Sequence, residues 1–187
     1  MADMPGMSRA LQNERISQMR VLVVDSFGQF RELMRDILLR GIGVGDVIES
    51  RDGKEAISIL RETPCDVVFA DASMEPIGGV ELTRQIRAGV DGIDPFLPVI
   101  VMSGHANLGE IIEARDTGAN DYIAKPLSAK ILDLRLHALV ARPRPFIRSD
   151  NFFGPDRRRH AVDQFKGPNR RIGAPDNSDT EPSGSVL

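Results

Sequence analysis

Short apolar runs separated by helical repeats set the frame of this chain. Five runs, Val21–Val24, Val47–Ile48, Val67–Ala70, Val99–Met102 and Tyr122–Ala124, are rich in β-branched residues and read as strands buried on both faces. Between the first two, Phe30, Leu33, Met34, Ile37 and Leu38 recur at helical spacing, and the glycine-bearing stretch 41–45 ends that helix. Asp52 and Glu55 have the spacing to cap a second helix carrying Ala56, Ile57 and Leu60. A third helix follows Gly79 with Leu82 and Ile86. A fourth carries Leu108, Ile111 and Ile112 and stops at Gly118, and a fifth starts near Ser128 with Ile131, Leu134 and Leu139.

Strict strand–helix alternation predicts right-handed crossovers and an α/β fold, a doubly wound five-stranded parallel sheet with helices on both faces. In such a sheet the active site lies at the carboxyl ends of the strands, near the topological switch. Four polar residues stand at those ends: Asp25 after the first strand, Asp71 after the third, Ser103 after the fourth and Lys125 after the fifth.

At 187 residues the chain holds one well-buried domain with appendages. The periodicity divides it into an N-terminal extension (1–18), the α/β domain (19–141), a Pro-, Arg- and Phe-containing tail (142–172) and an acidic end (173–187). Charge follows the same division. Residues 1–140 carry 15 bases against 21 acids, residues 141–173 nine against three, and residues 174–187 three acids alone. An acidic body with a basic tail argues for an appendage rather than a second packed domain.

The longest apolar stretches are strand-sized and too short to span a bilayer. Met1–Gln18 has no apolar core, so it does not read as a secretory signal. The single cysteine, Cys65, precludes an internal disulfide and a cysteine-based zinc site, and reads as a reduced structural thiol. Together these features point to the cytoplasm.

Two carboxylates and an ammonium at one sheet edge suit a divalent cation and a phosphoryl group. A hard cation such as Mg²⁺ takes oxygen ligands and keeps several waters, so one or two carboxylates suffice. With the phosphoryl oxygens neutralised, an aspartate can attack phosphorus as a nucleophile. Lys125 supplies a point charge for one phosphoryl oxygen and Ser103 a hydroxyl for another.

The blocks Val21-Leu22-Val23-Val24-Asp25, Asp66-Val67-Val68-Phe69-Ala70-Asp71-Ala72-Ser73-Met74 with Gly79, Pro98-Val99-Ile100-Val101-Met102-Ser103-Gly104, and Tyr122-Ile123-Ala124-Lys125-Pro126 resemble, in order, the receiver domain of two-component response regulators. The resemblance implies a flavodoxin-like receiver fold with strand order 2-1-3-4-5. It makes Asp71 the phosphoacceptor, with Asp25, Asp71 and the Ser73 backbone carbonyl around Mg²⁺. Ser103 matches the hydroxyl that moves toward the phosphoryl oxygen, and Tyr122 the aromatic switch residue behind it. Lys125 matches the family lysine, with a cis bond to Pro126 expected.

Three departures stand out. Ser26 takes the place of the second residue of the acidic pair, which predicts weaker Mg²⁺ binding, with Ser26 reaching the ion through water. Glu75 occupies the place of the family's proline; it either partly replaces the missing carboxylate or is a solvent-facing loop residue. Ser73 and His105 stand where phosphoryl lifetime is tuned, though His105 reads equally as an exposed residue at a helix start. His137 reads as a solvated helix-face residue, and His160 has no metal-ligand spacing.

In the tail, Phe153-Gly154-Pro155-Asp156-Arg157-Arg158 is echoed by Phe165-Lys166-Gly167-Pro168-Asn169-Arg170-Arg171. Each Gly-Pro-Asx reads as a turn, and Arg142-Pro143-Arg144-Pro145-Phe146-Ile147 reads as extended chain. The tail resembles one found on a group of alphaproteobacterial stand-alone receivers. It has three readings: a strap onto the receiver through Phe146, Ile147, Phe152 and Phe153, a ligand for an acidic partner protein, or a phosphate-binding arm on nucleic acid. The first two are favoured because no base-reading helix accompanies the arginines. Residues 173–187 have a disordered composition.

The expectation is a single-domain response regulator, not an enzyme. It takes a phosphoryl group from a histidine kinase or phosphotransfer protein, as a monomer or weak dimer. It then meets an unidentified downstream protein through the fourth helix, fifth strand and fifth helix, roughly Leu108 to Leu139. Two alternatives stand beside it, a phosphorylation-independent scaffold suggested by Ser26 and a binder acting through the tail. An aspartate-nucleophile phosphohydrolase would need a second Asp two residues after Asp25, where Phe27 stands.

Overall fold

The computed structural model describes residues 7–104, 107–149 and 152–156. Its centre is a parallel sheet of β1 (Arg20–Val24), β2 (Asp46–Ser50), β3 (Val67–Asp71), β4 (Val99–Ser103) and β5 (Asp121–Ala124), in the expected order β2-β1-β3-β4-β5. Side chains alternate across it, as the period of two requires. Val21, Val23, Val67, Phe69, Ile100 and Met102 bury on one face; Leu22, Val24, Val68, Ala70, Val99 and Val101 bury on the other.

Three helices cover the second face: α3 (Gly53–Glu62), α4 (Gly79–Arg87) and α5 (Leu108–Thr117). Asp52 Oδ1 accepts from Glu55 N–H at 2.9 Å and caps α3, while Glu55 reaches back to the Arg51 N–H at 2.8 Å. Gly79 opens α4 against the sheet, where a Cβ would stand 2.8 Å from both the Ala70 and Asp71 carbonyl oxygens. Only a bare Cα lets the helix start this close to the strand end that carries Asp71.

The first face is covered by α1 (Arg9–Ile16), α2 (Gly28–Asp36) and α6 (Ala129–Ala141). The helix ends within the expected stretch 41–45: α2 continues into a π-turn over Ile37–Ile42 that closes at Gly43. Leu33, expected on its core stripe, is 53% exposed. Within the N-terminal extension, α1 packs on α6: Ile16 is buried in the core, Arg9 pairs with Asp133 at 3.1 Å, and His137 Nε2 lies 2.8 Å from Asn13 Oδ1. His137 is therefore a buried residue, not a solvated one, because α1 covers the side of α6 that the periodicity had left to water. No described helix is long and apolar enough to cross a membrane.

After α6 the chain forms an antiparallel pair, β6 (Phe146–Ser149) and β7 (Phe152–Pro155). The first Gly-Pro-Asx unit is thus not a turn: Gly154 pairs with Ile147 and Pro155 with Phe146. An isolated two-stranded ribbon has open edges, so Pro155, which lacks an N–H, fits at its end. Phe146 and Phe153 make an edge-packed trio with Phe96, with centroids 5.1, 5.2 and 5.5 Å apart. The strap is partial: Phe146, Phe152 and Phe153 are half-buried and Ile147 is 41% exposed. His105, His160, the second Gly-Pro unit and the acidic end lie outside the described residues.

Candidate functional site

Three of the four polar strand ends meet side chain to side chain. Lys125 Nζ lies 2.5 Å from Asp25 Oδ2 and 2.7 Å from Asp71 Oδ1, one ammonium bridging two carboxylates. Asp25 is fully buried and Asp71 only 7% exposed. Each carboxylate is also fixed by the backbone just beyond it: Phe27 N–H donates to Asp25 Oδ1 at 2.9 Å, and Ser73 N–H to Asp71 Oδ2 at 3.1 Å. The strand ends are stitched by Ala72 N–H to Met102 O at 2.7 Å and Lys125 N–H to Ser103 O at 2.8 Å. The Lys125–Pro126 bond is cis, as expected, and Glu75–Pro76 is cis as well.

Phe30 on α2 places its ring 4.1 Å from Lys125 Nζ, a cation–π contact. Arg31 donates to the Asp25 carbonyl oxygen at 2.7 Å and pairs with Glu49 at 3.4 Å, which ties α2 to β1 and β2 at the mouth of the site.

Behind Asp71, Ser103 is 1% exposed and donates to Glu110 Oε2 at 3.2 Å. The half-buried Tyr122 hydroxyl donates to the same oxygen at 2.9 Å. Burial pushes the Tyr122 phenol above its usual range; the Glu110 and Asp71 charges add to the shift and a hydrogen bond with Ser103 opposes it. Glu110 was not singled out from the sequence, and Phe30 was read there only as part of a helical stripe. For Glu110 a signal existed, since Asn107-x-x-Glu110 has capping-box spacing.

Asp25 and Asp71 bring two carboxylates to one sheet edge, beside the Lys125 ammonium. This chemistry fits a hard divalent cation that retains several waters. Ser26, Ser73 and Glu75 are all exposed. Among the described residues no three His, Cys, Asp or Glu side chains gather closely enough to form a metal cluster.

Sheet order, strand-end carboxylates and bridging lysine together define a receiver. The response regulator receiver domain model matches residues 21–137, and the chain belongs to that family. It is 32% identical over 124 residues to the chemotaxis protein CheY of Pseudomonas aeruginosa, covering 66% of this chain and 98% of that protein. It is 35% identical over 124 residues to CheY-3 of Vibrio cholerae, covering 66% and 93%. Among solved structures, a LuxR-family response regulator from Aurantimonas is 28% identical with a TM-score of 0.59, over 66% of this chain and 86% of that one. The receiver domain of a Pseudomonas aeruginosa sensor histidine kinase, with a magnesium ion coordinated in its active site cleft, is 25% identical with a TM-score of 0.57, over 66% and 98%.

Proposed function

We propose that this receiver is phosphorylated on Asp71 by the phosphohistidine of a histidine kinase or phosphotransfer protein, and that the modified surface then changes protein partners. The observation that carries the reading is Lys125 bridging Asp25 and Asp71. That ammonium is already placed to pass from the Asp71 carboxylate to a phosphoryl oxygen. In the transfer an Asp71 oxygen forms the new bond to phosphorus, the phosphorus–nitrogen bond breaks, and the leaving imidazole takes up a proton. Asp25 and Asp71, with the Ser73 carbonyl, would hold Mg²⁺, which when bound offsets the negative charge of the phosphoryl oxygens. Asp25 keeps Lys125 oriented throughout, and the Phe27 N–H keeps Asp25 oriented.

The chain acts in this reading as a switch without catalytic output. Its output face is α5, β5 and α6, where Leu108, Ile111, Ile112 and Leu134 are 72, 37, 39 and 54% exposed. Exposed aliphatic side chains on these elements are suited to a protein partner. A second reading, a scaffold that signals without phosphate, is favoured by Ser26, which leaves the acidic pair with one carboxylate. Incubation with Mg²⁺ and a small acyl phosphate, read by intact mass, separates the two. Wild type is expected to gain one phosphoryl group and Asp71→Asn none; a wild type unmodified at every Mg²⁺ level supports the scaffold.

A further inference from the structure

Glu110 stands at no strand end, yet it holds both Ser103 and Tyr122. Its Oε2 accepts from Ser103 Oγ at 3.2 Å and from Tyr122 OH at 2.9 Å. The carboxylate is itself fixed by Asn107, the N-cap of α5. The Asn107 side-chain amide donates to Glu110 Oε1 at 2.7 Å, and Asn107 Oδ1 accepts from the Glu110 N–H at 2.9 Å. We propose that Glu110 is a positioning residue, a clasp that holds Ser103 and Tyr122 away from Asp71 and so sets how readily this receiver is phosphorylated. The inference rests on Asp71 being the phosphoacceptor.

A serine or tyrosine hydroxyl has one hydrogen to donate. The Ser103 hydrogen cannot serve Glu110 and a phosphoryl oxygen together, so forming the second bond requires breaking the first. Tyr122 is bound likewise: while its hydroxyl is held by Glu110, the ring cannot turn elsewhere without losing a bond to a charged acceptor. Both hydroxyls converge on the single oxygen Glu110 Oε2. Hydrogen bonds to a charged partner are among the stronger ones, large enough to move a two-state equilibrium about tenfold. Because the clasp sits on the first turn of α5, its release also frees the helix that bears Leu108, Ile111 and Ile112. Glu110 thus couples the chemistry at Asp71 to the exposed face.

Tyr122 is the chain's single tyrosine and there is no tryptophan, so intrinsic emission reports the clasp directly. The full-length chain is titrated with beryllofluoride in the presence of Mg²⁺, and its phosphorylation by a small acyl phosphate is timed, for wild type, Glu110→Gln, Glu110→Ala and Asn107→Ala. Expected are apparent affinities and initial rates raised about tenfold in Glu110→Ala, with smaller gains in Glu110→Gln, which keeps an acceptor oxygen, and in Asn107→Ala, which keeps the carboxylate but not its anchor. A gain is not what mere damage to the fold would produce. In the Ser103→Ala/Tyr122→Phe background, which has no tyrosine or tryptophan and is followed by its phosphorylation rate alone, Glu110→Ala is expected to change nothing. Wild-type behaviour of Glu110→Ala, or a gain that persists in that background, overturns the clasp while leaving Asp71 as phosphoacceptor. A wild type that takes neither beryllofluoride nor phosphoryl group overturns the underlying reading and the clasp with it.

Discussion

Gly118 and Gly154 meet backbone to backbone: a Cβ built on Gly154 would stand 2.7 Å from the Gly118 Cα, and one on Gly118 would stand 2.6 Å from the Phe153 carbonyl oxygen. Gly118 ends α5 with φ +100, and Gly154 lies in β7, so the appended ribbon touches the receiver at the far end of the helix whose first turn carries Glu110. The Phe96–Phe146–Phe153 trio then packs beside this contact. The ribbon is docked by shape at one point and by aromatic area around it.

Gly154→Ala is accordingly expected to destabilise the protein by about 1–3 kcal/mol, the usual cost of forcing an extra methyl into a filled contact. Gly118→Ala should cost about 1–2 kcal/mol more, because its left-handed φ penalises any Cβ. Since both substitutions spoil one contact, the double variant should lose less than the sum. Urea unfolding measures all three, and full additivity would show that the two glycines do not share a contact.

Arg87 joins four segments from inside. Its guanidinium donates to Gly118 O at 2.9 Å, Pro95 O and Leu97 O at 2.8 Å each, and Asn120 Oδ1 at 2.9 Å, with Cζ 5.0 Å from the Phe146 ring centroid. Burial pulls it down to about 10, against the opposing charge of Asp94, so it stays protonated at neutral pH. Arg87→Met removes the donors and strands buried carbonyl oxygens, each costing about 1–3 kcal/mol when unpaired but not additively. A total loss of about 3–5 kcal/mol is expected from urea unfolding at unchanged slope. Arg87→Lys should recover only part, because a compact ammonium cannot span acceptors arranged around a planar fork. A loss below about 1 kcal/mol in Arg87→Met would mean that water takes the donors' place.

Much of this architecture was legible in the chain. Asp25, Asp71, Ser103 and Lys125 could be placed because each ends an apolar run, and strand ends in a doubly wound sheet converge. What escaped reading depended on tertiary partners. The α1 helix has little apolar periodicity, with Ile16 its single buried residue, so nothing signalled that it would cover α6 and bury His137. Arg87 looks like an ordinary last-turn base of α4; only the fold brings the 95–97 loop and Gly118 to it. Leu108, Ile111 and Ile112 mark a helix correctly but remain exposed, because hydrophobic spacing does not say which apolar face finds a partner. Gly154–Pro155 has turn composition, and strand pairing with Phe146–Ile147 overrode it.

Cys65 offers a test by pH. Burial, partly opposed by the Arg20 charge and reinforced by Asp66 and Asp46, pushes its thiol up to about 11 from 9.0. Below pH 9 the thiolate fraction is then about a hundredfold lower than for an ordinary cysteine, while a more basic thiolate is about tenfold more nucleophilic. Exchange with a small disulfide reagent at pH 8 should therefore run about tenfold slower than in the urea-unfolded chain, before any steric slowing. Folded stability should fall as pH rises from 9 toward 11, since the unfolded chain loses this proton first. Equal exchange rates in the folded and unfolded chains would show that the thiol is not held protonated. The single cysteine makes the measurement unambiguous.

Ser26 offers a test of metal affinity. It follows the buried Asp25 directly, is exposed, and brings a hydroxyl where a second carboxylate would add a full negative charge. The mouth holds Asp25 and Asp71 against the Lys125 charge, a net of one negative, and affinity for a hard cation rises with the number of charged oxygen ligands. Ser26→Asp is therefore expected to raise Mg²⁺ affinity about tenfold or more, read by titrating the emission of Tyr122. The same variant should reach its full rate of phosphorylation by a small acyl phosphate at correspondingly lower Mg²⁺. Glu75→Gln, which removes an exposed carboxylate outside any cluster, should leave both curves where they are. Were Ser26→Asp to bind Mg²⁺ no better than wild type while Glu75→Gln bound it worse, the acidic partner of Asp25 would be Glu75, and the exposed loop would have to close onto the mouth when the ion binds.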